Sequence, residues 1–413
     1  MIGEILGELA FGLVEGLIEA IITPDKKKRE EKREAKKAGA KKAGKIIKNG
    51  GIVAFPTETV YGLGADAFNS EAVSRIYMAK GRPNDNPLIL HIANQKKFYD
   101  LAYDPPDYAK KLIEAYWPGP LTLVVKKKPE LPIWLGSHPL NQTETIGIRM
   151  PQNAIARAII EYSKKVIAAP SANRAGKPSP TSAKHIDFDD NEIDMIVEGG
   201  VSKVGLESTV VDVTGEIPLV LRPGAITTKM IYETTGIEPI SNEKSSDIPR
   251  SPGMKYRHYA PNAPMTIISA NKFGEKEVVK KAEKEAIADY MIKESLKKVE
   301  EGKTIGLLVT NSTRLIIKEH PLFSDTFVMI GKKVASSLSS GNEIKQNPIK
   351  IVTFGDEVEV IAKNLFASLR QFNQLEVSEI YAEAVPNIDL GEAIMNRMQK
   401  AAEGRVVIVN VKT

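Results

Sequence analysis

Apolar residues return along this chain with two different periods, and the alternation between them predicts where helices and strands lie. At the amino end Ile2, Ile5, Leu6, Leu9, Leu13, Leu17 and Ile21 recur at helical spacing with Glu4, Glu8, Glu15 and Glu19 between them, which predicts an amphipathic helix. Thr23 and Pro24 break it, and the mixed-charge run from Asp25 to Lys42 reads as a solvated helix or linker. Lys41 to Lys48 reads as a helix closed by Asn49, Gly50 and Gly51, residue types that end helices in left-handed backbone. The run Ile52 to Phe55 predicts a buried strand, and Pro56, with no N–H to donate, ends it. Ser70 is expected to cap a helix through Ala79 that buries Ala72, Val73 and Ile76. Further strands are expected at Leu88 to Ile92, Leu121 to Val125, Thr145 to Met150, Val166 to Ala169, Val210 to Val213 and Leu219 to Leu221. From Met265 the order becomes strand, long helix from Lys276 to Glu301, strand from Thr304 to Thr310, with more strands at Ile351, Glu379 and Val406. That alternation predicts a parallel α/β domain.

Several of the strands in the first half end in the same way, on a proline followed or preceded by polar residues. Phe55 gives way to Pro56, Thr57, Glu58 and Thr59; Arg149 stands just before Pro151; Ala169 gives way to Pro170, Ser171, Ala172 and Asn173. Repetition of this device suggests strand ends converging on one cleft, the place where open α/β sheets hold ligands. Gly62 and Gly64 would let a ligand approach the backbone closely. Lys80 and Arg82 arrive at a helix C-terminus, where the macrodipole favours cations on its own account. Arg149, on a rigid strand end, suits bidentate binding of a carboxylate. His91, alone in a strand, would ordinarily be read as a core histidine. Trp117 to Pro120 reads as scaffold, whereas Ser251 to Pro261 packs aromatics and cations more tightly than a passive tether needs.

At 413 residues the chain exceeds one hydrophobic core, so two domains are expected. The net charge of +5 is modest and much of it lies in the lysine-rich run near the N-terminus, so charge alone does not argue for a nucleic-acid groove. The absence of cysteine excludes disulfides, thiolate zinc sites, iron–sulfur clusters and a cysteine nucleophile, and fits a cytoplasmic location. The amino-terminal helix is not a membrane span, since each of its four carboxylates would cost about 2.5–3.5 kcal/mol at a bilayer centre. Self-association or contact with a membrane surface is expected of it instead. Gly39 to Lys45 spells a G-x-x-x-x-G-K pattern, but Ile46 follows where a hydroxyl must hold Mg²⁺, and no strand precedes it.

Taken together, KGRPNDNPLILHI from Lys80, GIRMP from Gly147, APSAN from Ala169, ESTVVD from Glu207 and LRPG from Leu221 resemble the YrdC-like family of threonylcarbamoyl-adenylate synthases. The resemblance runs from about Ala38 to the C-terminus, where Ala382 to Ala402 is similar to the second domain of the family's long form. It implies a YrdC-like open twisted α/β catalytic domain over 38–228, a linker over 229–263 that acts as a lid, and a smaller Rossmann-like parallel α/β domain over 264–413. Residues 1–37 form an extension. The implied reaction joins L-threonine, bicarbonate and ATP into threonylcarbamoyl-adenylate and releases pyrophosphate. The product would pass to a downstream threonylcarbamoyl transferase machinery that modifies the adenosine next to the anticodon in tRNAs reading codons that begin with A.

By the same resemblance Lys80, Arg82, Ser171 and Asn173 are the expected catalytic residues. ATP is expected to meet these four together with Asn86, Thr145, Ser179 and Arg222, and threonine to meet Thr59, His91, Arg149, Ala169 and Ser208. Tyr256, His258 and Tyr259 are expected to form the lid, since a carbamate decays in water unless the site closes. No carboxylate cluster has metal-ligand spacing, so no protein metal site is expected and Mg²⁺ should come with ATP, held by phosphates and water. Two rival readings differ in the residues they require. A larger carbamoyl-transferring factor of the same fold carries cysteine-rich zinc motifs, which this chain lacks. A non-catalytic RNA-binding module of the same fold would need neither Arg149 nor Ser208, and a tRNA contact beside catalysis stays open.

Overall fold

The computed structural model describes residues 33–241, 258–271, 277–320, 327–330 and 348–411. The amphipathic amino-terminal segment and Tyr256 lie outside them. A helix over residues 33–48 leads into a ten-stranded mixed sheet. Its strands are β1 (Val53–Phe55), β2 (Gly62–Asp66), β3 (Ile89–His91), β4 (Leu121–Lys126), β5 (Thr145–Arg149), β6 (Ile167–Ala168), β7 (Met195–Ile196), β8 (Thr209–Asp212), β9 (Leu219–Arg222) and β10 (Ile240–Ser241). Across the sheet they run β10-β9-β8-β4-β5-β3-β6-β2-β1-β7.

The glycine-rich stretch after Pro56 is itself a strand. Phe55 pairs with Gly62 and Val53 with Gly64, so β2 turns back antiparallel along β1. Gly64 has a packing role, since a Cβ there would stand 2.6 Å from the Phe55 ring and 2.7 Å from Ile167; Phe55 in turn sets its ring edge-on to His91. Only Gly62 of the two glycines reaches the cleft described below. The helix Ser70–Lys80 is capped by Asn69, whose side-chain oxygen accepts from the Ala72 amide, rather than by Ser70. Residues 229–241, expected as linker, instead carry the end of the helix Thr228–Thr235 and the strand β10, which pairs parallel with β9. Tyr116 donates to the Met230 carbonyl and ties that helix to the helix Asp107–Tyr116 of the first domain.

The second sheet has six strands in the order β13-β14-β12-β15-β11-β16: β11 (Met265–Ala270), β12 (Ile305–Val309), β13 (Phe327–Ile330), β14 (Ile349–Thr353), β15 (Glu379–Glu383) and β16 (Val406–Val409). Every pairing in it is parallel. Long helices cover it, among them Glu277–Glu300, Val358–Gln374 and Leu390–Ala401. Near-continuous apolar strands such as Ile305–Val309, buried at every position, are what a sheet covered on both faces requires.

The two domains share a core. Val60 and Leu206 of the first are buried with Tyr259, Phe366 and Leu369 in one cluster. Gly205, at φ +84°, lies so close to the helix Val358–Gln374 that a Cβ would stand 2.4 Å from the Lys363 Cα. Only glycine suits both that backbone and that approach. Gly205→Ala should therefore lower the midpoint of thermal unfolding, at a cost of about 1–3 kcal/mol, whereas Gly215→Ala, with nothing within 4 Å of its would-be Cβ, should leave it unchanged. Equal melting curves for both variants would contradict this docking.

Candidate active site

Register brings the site together. His91 on β3 pairs with Arg149 on β5, Arg149 with Thr122 on β4, Thr122 with Val210 on β8, and Val210 with Arg222 on β9. Residues on one row of a sheet share a face, so four ladders carry His91, Arg149 and Arg222 to one wall. The loops after β1 and β6 supply Thr57, Thr59, Ser171 and Asn173. Together they line a cleft of about 620 Å³, counting its open mouth, with Arg82, Ala169, Ser179, Glu207, Ser208, His258 and Tyr259.

Arg149 is buried and held by a carboxylate. Its guanidinium meets Glu58 at 2.5 Å, donates to the Thr59 hydroxyl at 2.8 Å and to the Gly119 carbonyl at 3.2 Å. The Trp117–Pro120 turn is thus part of the site's support as well as scaffold. Burial alone would raise the Glu58 carboxyl, but the adjacent Arg149 charge and hydrogen bond outweigh it and hold the pKa below the usual range. Beside this pair, burial first and the Arg149 charge second push His91 down to about 3. A neutral imidazole has one N–H, and Nδ1 lies 3.0 Å from the Ile89 carbonyl, which can only accept. Nδ1 therefore carries the proton and Nε2 is left as an acceptor.

Two further cations, Arg82 and Arg222, line the cleft. Arg82 is fixed by the Asn86 carbonyl (3.0 Å), the Asn86 side-chain oxygen (2.7 Å) and the Pro87 carbonyl. Arg222 donates to the Ser208 carbonyl at 3.0 Å and the Ser208 hydroxyl at 3.1 Å, and burial brings its pKa down to about 10. Ser208 also shares a 2.7 Å hydrogen bond with Thr122. Two buried polar atoms of residues lining the cleft, Asn173 Oδ1 and His258 Nε2, have no hydrogen-bond partner. Such atoms are costly unless a ligand or water satisfies them.

Three expected residues stand elsewhere. Lys80 is buried behind the cleft, where its ammonium donates to the carbonyls of Ser171 and Asn173, and burial, then Arg82, lowers its pKa well below the usual range. Asn86 also stays off the lining and anchors Arg82. Thr145 is at the far end of β5 from Arg149, its carbonyl taken by the Thr143 hydroxyl. Neither Glu58 nor Glu207 stood among the expected site residues. The signal for both was present, a carboxylate inside a strand-end motif, but its partner was not visible in sequence. Of the expected lid, His258 and Tyr259 line the cleft; Tyr259, at φ +65°, packs 5.2 Å from the Phe366 ring of the second domain. Among the described residues no group of three or more His, Cys, Asp or Glu is arranged to hold a metal ion. No helix among them is long and apolar enough to cross a membrane.

A cleft at the strand ends of a mixed sheet, walled by buried guanidinium groups and bordered by His258 and by Tyr259, which packs on a second parallel α/β domain, defines a two-domain α/β enzyme. The profile of the family described as "Telomere recombination" (Sua5, YciO and YrdC) matches residues 45–224, and that of "Threonylcarbamoyl-AMP synthase, C-terminal domain" matches residues 226–403. Threonylcarbamoyl-AMP synthase of Pyrococcus abyssi is 39% identical over 371 residues, 89% of this chain and 95% of that one. That of Bacillus subtilis is 39% identical over 371 residues, 89% of this chain and 93% of its own. The crystal structure of P. abyssi Sua5 complexed with L-threonine superposes with a TM-score of 0.73, 38% identity and coverage of 90% and 96%. A P. abyssi Sua5 structure with a histidine and the next tyrosine both changed to alanine gives 0.75, 36%, 91% and 95%. The chain belongs to the threonylcarbamoyl-AMP synthase family, in its two-domain form.

The buried neutral state of His91 carries a pH dependence. Because its folded pKa lies below the unfolded value of about 6.5, the unfolded chain takes up the proton first, and stability falls as pH drops from there toward 3. By pH 5 the loss is about 2 kcal/mol. Urea unfolding at pH 8 and pH 5 should show a difference smaller by about that amount in His91→Gln than in the wild type. The same difference in both proteins would contradict the assignment.

Proposed function

We propose that this cleft makes threonylcarbamoyl-adenylate from L-threonine, bicarbonate and ATP. The observation that supports this reading is the charge balance of the cleft: Lys80, Arg82, Arg149 and Arg222 are buried in or behind it, against two buried carboxylates there, Glu58 and Glu207. Such a wall suits a polyanion, and phosphoryl chemistry is largely a matter of positioning and electrostatics. The threonine carboxylate meets the free N–H groups of Arg149 beside Thr59, as the L-threonine complex of the P. abyssi relative encourages. His91 Nε2 accepts from the substrate hydroxyl or amine, Ser208 adds a further hydroxyl, and Ala169 closes the pocket wall. Arg82, Ser171, Asn173, Ser179 and Arg222 take the triphosphate, with Lys80 holding the Ser171–Asn173 backbone in place. Mg²⁺ enters with ATP.

The threonine amine joins bicarbonate with loss of water to give the carbamate. A carbamate oxygen then attacks the α-phosphorus, and the bond to pyrophosphate breaks. His258 Nε2 and Asn173 Oδ1, both unsatisfied in the protein alone, gain partners as the site fills. The adenylate goes on to a transferase that modifies tRNA in the cytoplasm.

Pyrophosphate release from ATP is expected to need bicarbonate and L-threonine together, with neither sufficient alone. Serine lacks the methyl group and should be used less well by roughly 1–3 kcal/mol; equal turnover of serine would contradict the pocket. Arg149→Ala should weaken threonine binding about tenfold or more while ATP binding changes little, and Arg222→Ala should do the reverse. Calorimetric titration in which Arg149→Ala impairs only ATP would overturn the division of the cleft.

A further inference from the structure

We propose that Arg397, on the helix Leu390–Ala401 of the second domain, is a positioning residue of the active cleft, holding the nucleotide wall through Glu207. Its side chain has no exposure to solvent. Nε lies 3.1 Å from one oxygen of Glu207, and the other oxygen of that carboxylate accepts from the Ser179 hydroxyl at 2.5 Å. Its terminal nitrogens donate to the Pro223 carbonyl at 2.5 Å and the Glu207 carbonyl at 3.4 Å. Pro223 follows Arg222, and Glu207 precedes Ser208. One guanidinium from the second domain thus spans the two segments on which Arg222 and Ser208 stand and, through the carboxylate, fixes the rotamer of Ser179.

Stability is a weak explanation for this arrangement. Two ions taken out of water repay their desolvation poorly, and an apolar pair of similar volume is often as stable. Leu206, next to Glu207 in the chain, and Tyr259 already belong to an apolar core shared by the two domains. What an apolar pair could not do is orient a hydroxyl and two backbone segments facing the cleft. Burial would raise the Glu207 carboxyl, but Arg397 and, after it, Arg222 hold it below the usual range, so the group stays an anion that accepts from Ser179. On this account the second domain is part of the catalytic apparatus, which separates its role from that of a tether for the linker.

The proposal rests on the reading that the cleft binds ATP for adenylate formation, and ATP affinity tests it apart from turnover. Calorimetry should show Arg397→Met and Glu207→Gln each weakening ATP binding about tenfold, the usual loss for a charged hydrogen bond. Threonine affinity should fall by clearly less than ATP affinity, since of the threonine contacts only Ser208 stands on a segment that Arg397 spans, whereas Arg149 rests on Glu58. In the double variant the losses should not multiply, since both changes break one unit. Wild-type ATP affinity in folded Arg397→Met, or losses that multiply, would overturn the proposal. Should Arg397→Met fail to fold, Glu207→Gln decides, because it keeps the shape and removes the charge: unchanged ATP affinity there overturns the proposal too. A wild-type protein that binds ATP yet makes no adenylate would sink the functional reading and leave the affinity comparison standing.

Discussion

Keeping positive charge out of water is costly, and this fold does it five times around one cleft. Lys80, Arg82, Arg149, Arg222 and Arg397 are all buried, and burial disfavours each of them as an ion. The protein meets that cost locally. Arg149 is matched by Glu58 and Arg397 by Glu207, while Lys80 and Arg82 rest on backbone carbonyls and on Asn86. The carboxylates are fewer than the cations, and a bound polyanion would restore the balance. Pre-organised charge of this kind does its work without reorganising at the moment of reaction.

Sheet register and domain docking divide the task of holding that charge. The row from His91 through Arg149 and Thr122 to Arg222 fixes one wall by backbone pairing alone. The other side depends on contacts between domains, with Gly205 against the helix Val358–Gln374, Tyr259 on Phe366 and Arg397 on Glu207. The end of the linker is held by both domains, since the Ala260 amide donates to the Gly176 carbonyl and the Asn262 amide to the Asn373 side chain. A change in how the domains dock would therefore reach the cleft directly, through Tyr259 and Arg397.

Much of this was legible in the chain itself because strand ends announce themselves. Pro56 and Pro170 stop strands and leave polar residues at a sheet's edge, and Thr59, Ser171 and Asn173 duly meet in one cleft. Parallel strands of the second domain were readable from their apolar runs and the helices between them. What stayed hidden was pairing over distance. Glu58 lies 91 positions from Arg149 and Glu207 lies 190 from Arg397, and nothing local marks either carboxylate as the partner of that arginine. Short strands were missed for a related reason: β7 has two residues and gains its place only by pairing with β1. Gly64 was misread because a glycine that admits a ring looks, in sequence, like one that admits a ligand. The inward turn of Lys80 onto the Ser171 and Asn173 carbonyls was hidden in the same way, since a lysine at a helix end gives no local sign of it.

The identity of the product decides whether the cleft joins threonine, bicarbonate and ATP. The purified protein, incubated with ATP, L-threonine and isotopically labelled bicarbonate, should yield threonylcarbamoyl-adenylate whose mass spectrum carries the label in the carbamoyl group. An unlabelled threonyl-adenylate, or AMP formed equally well without threonine, would contradict the account.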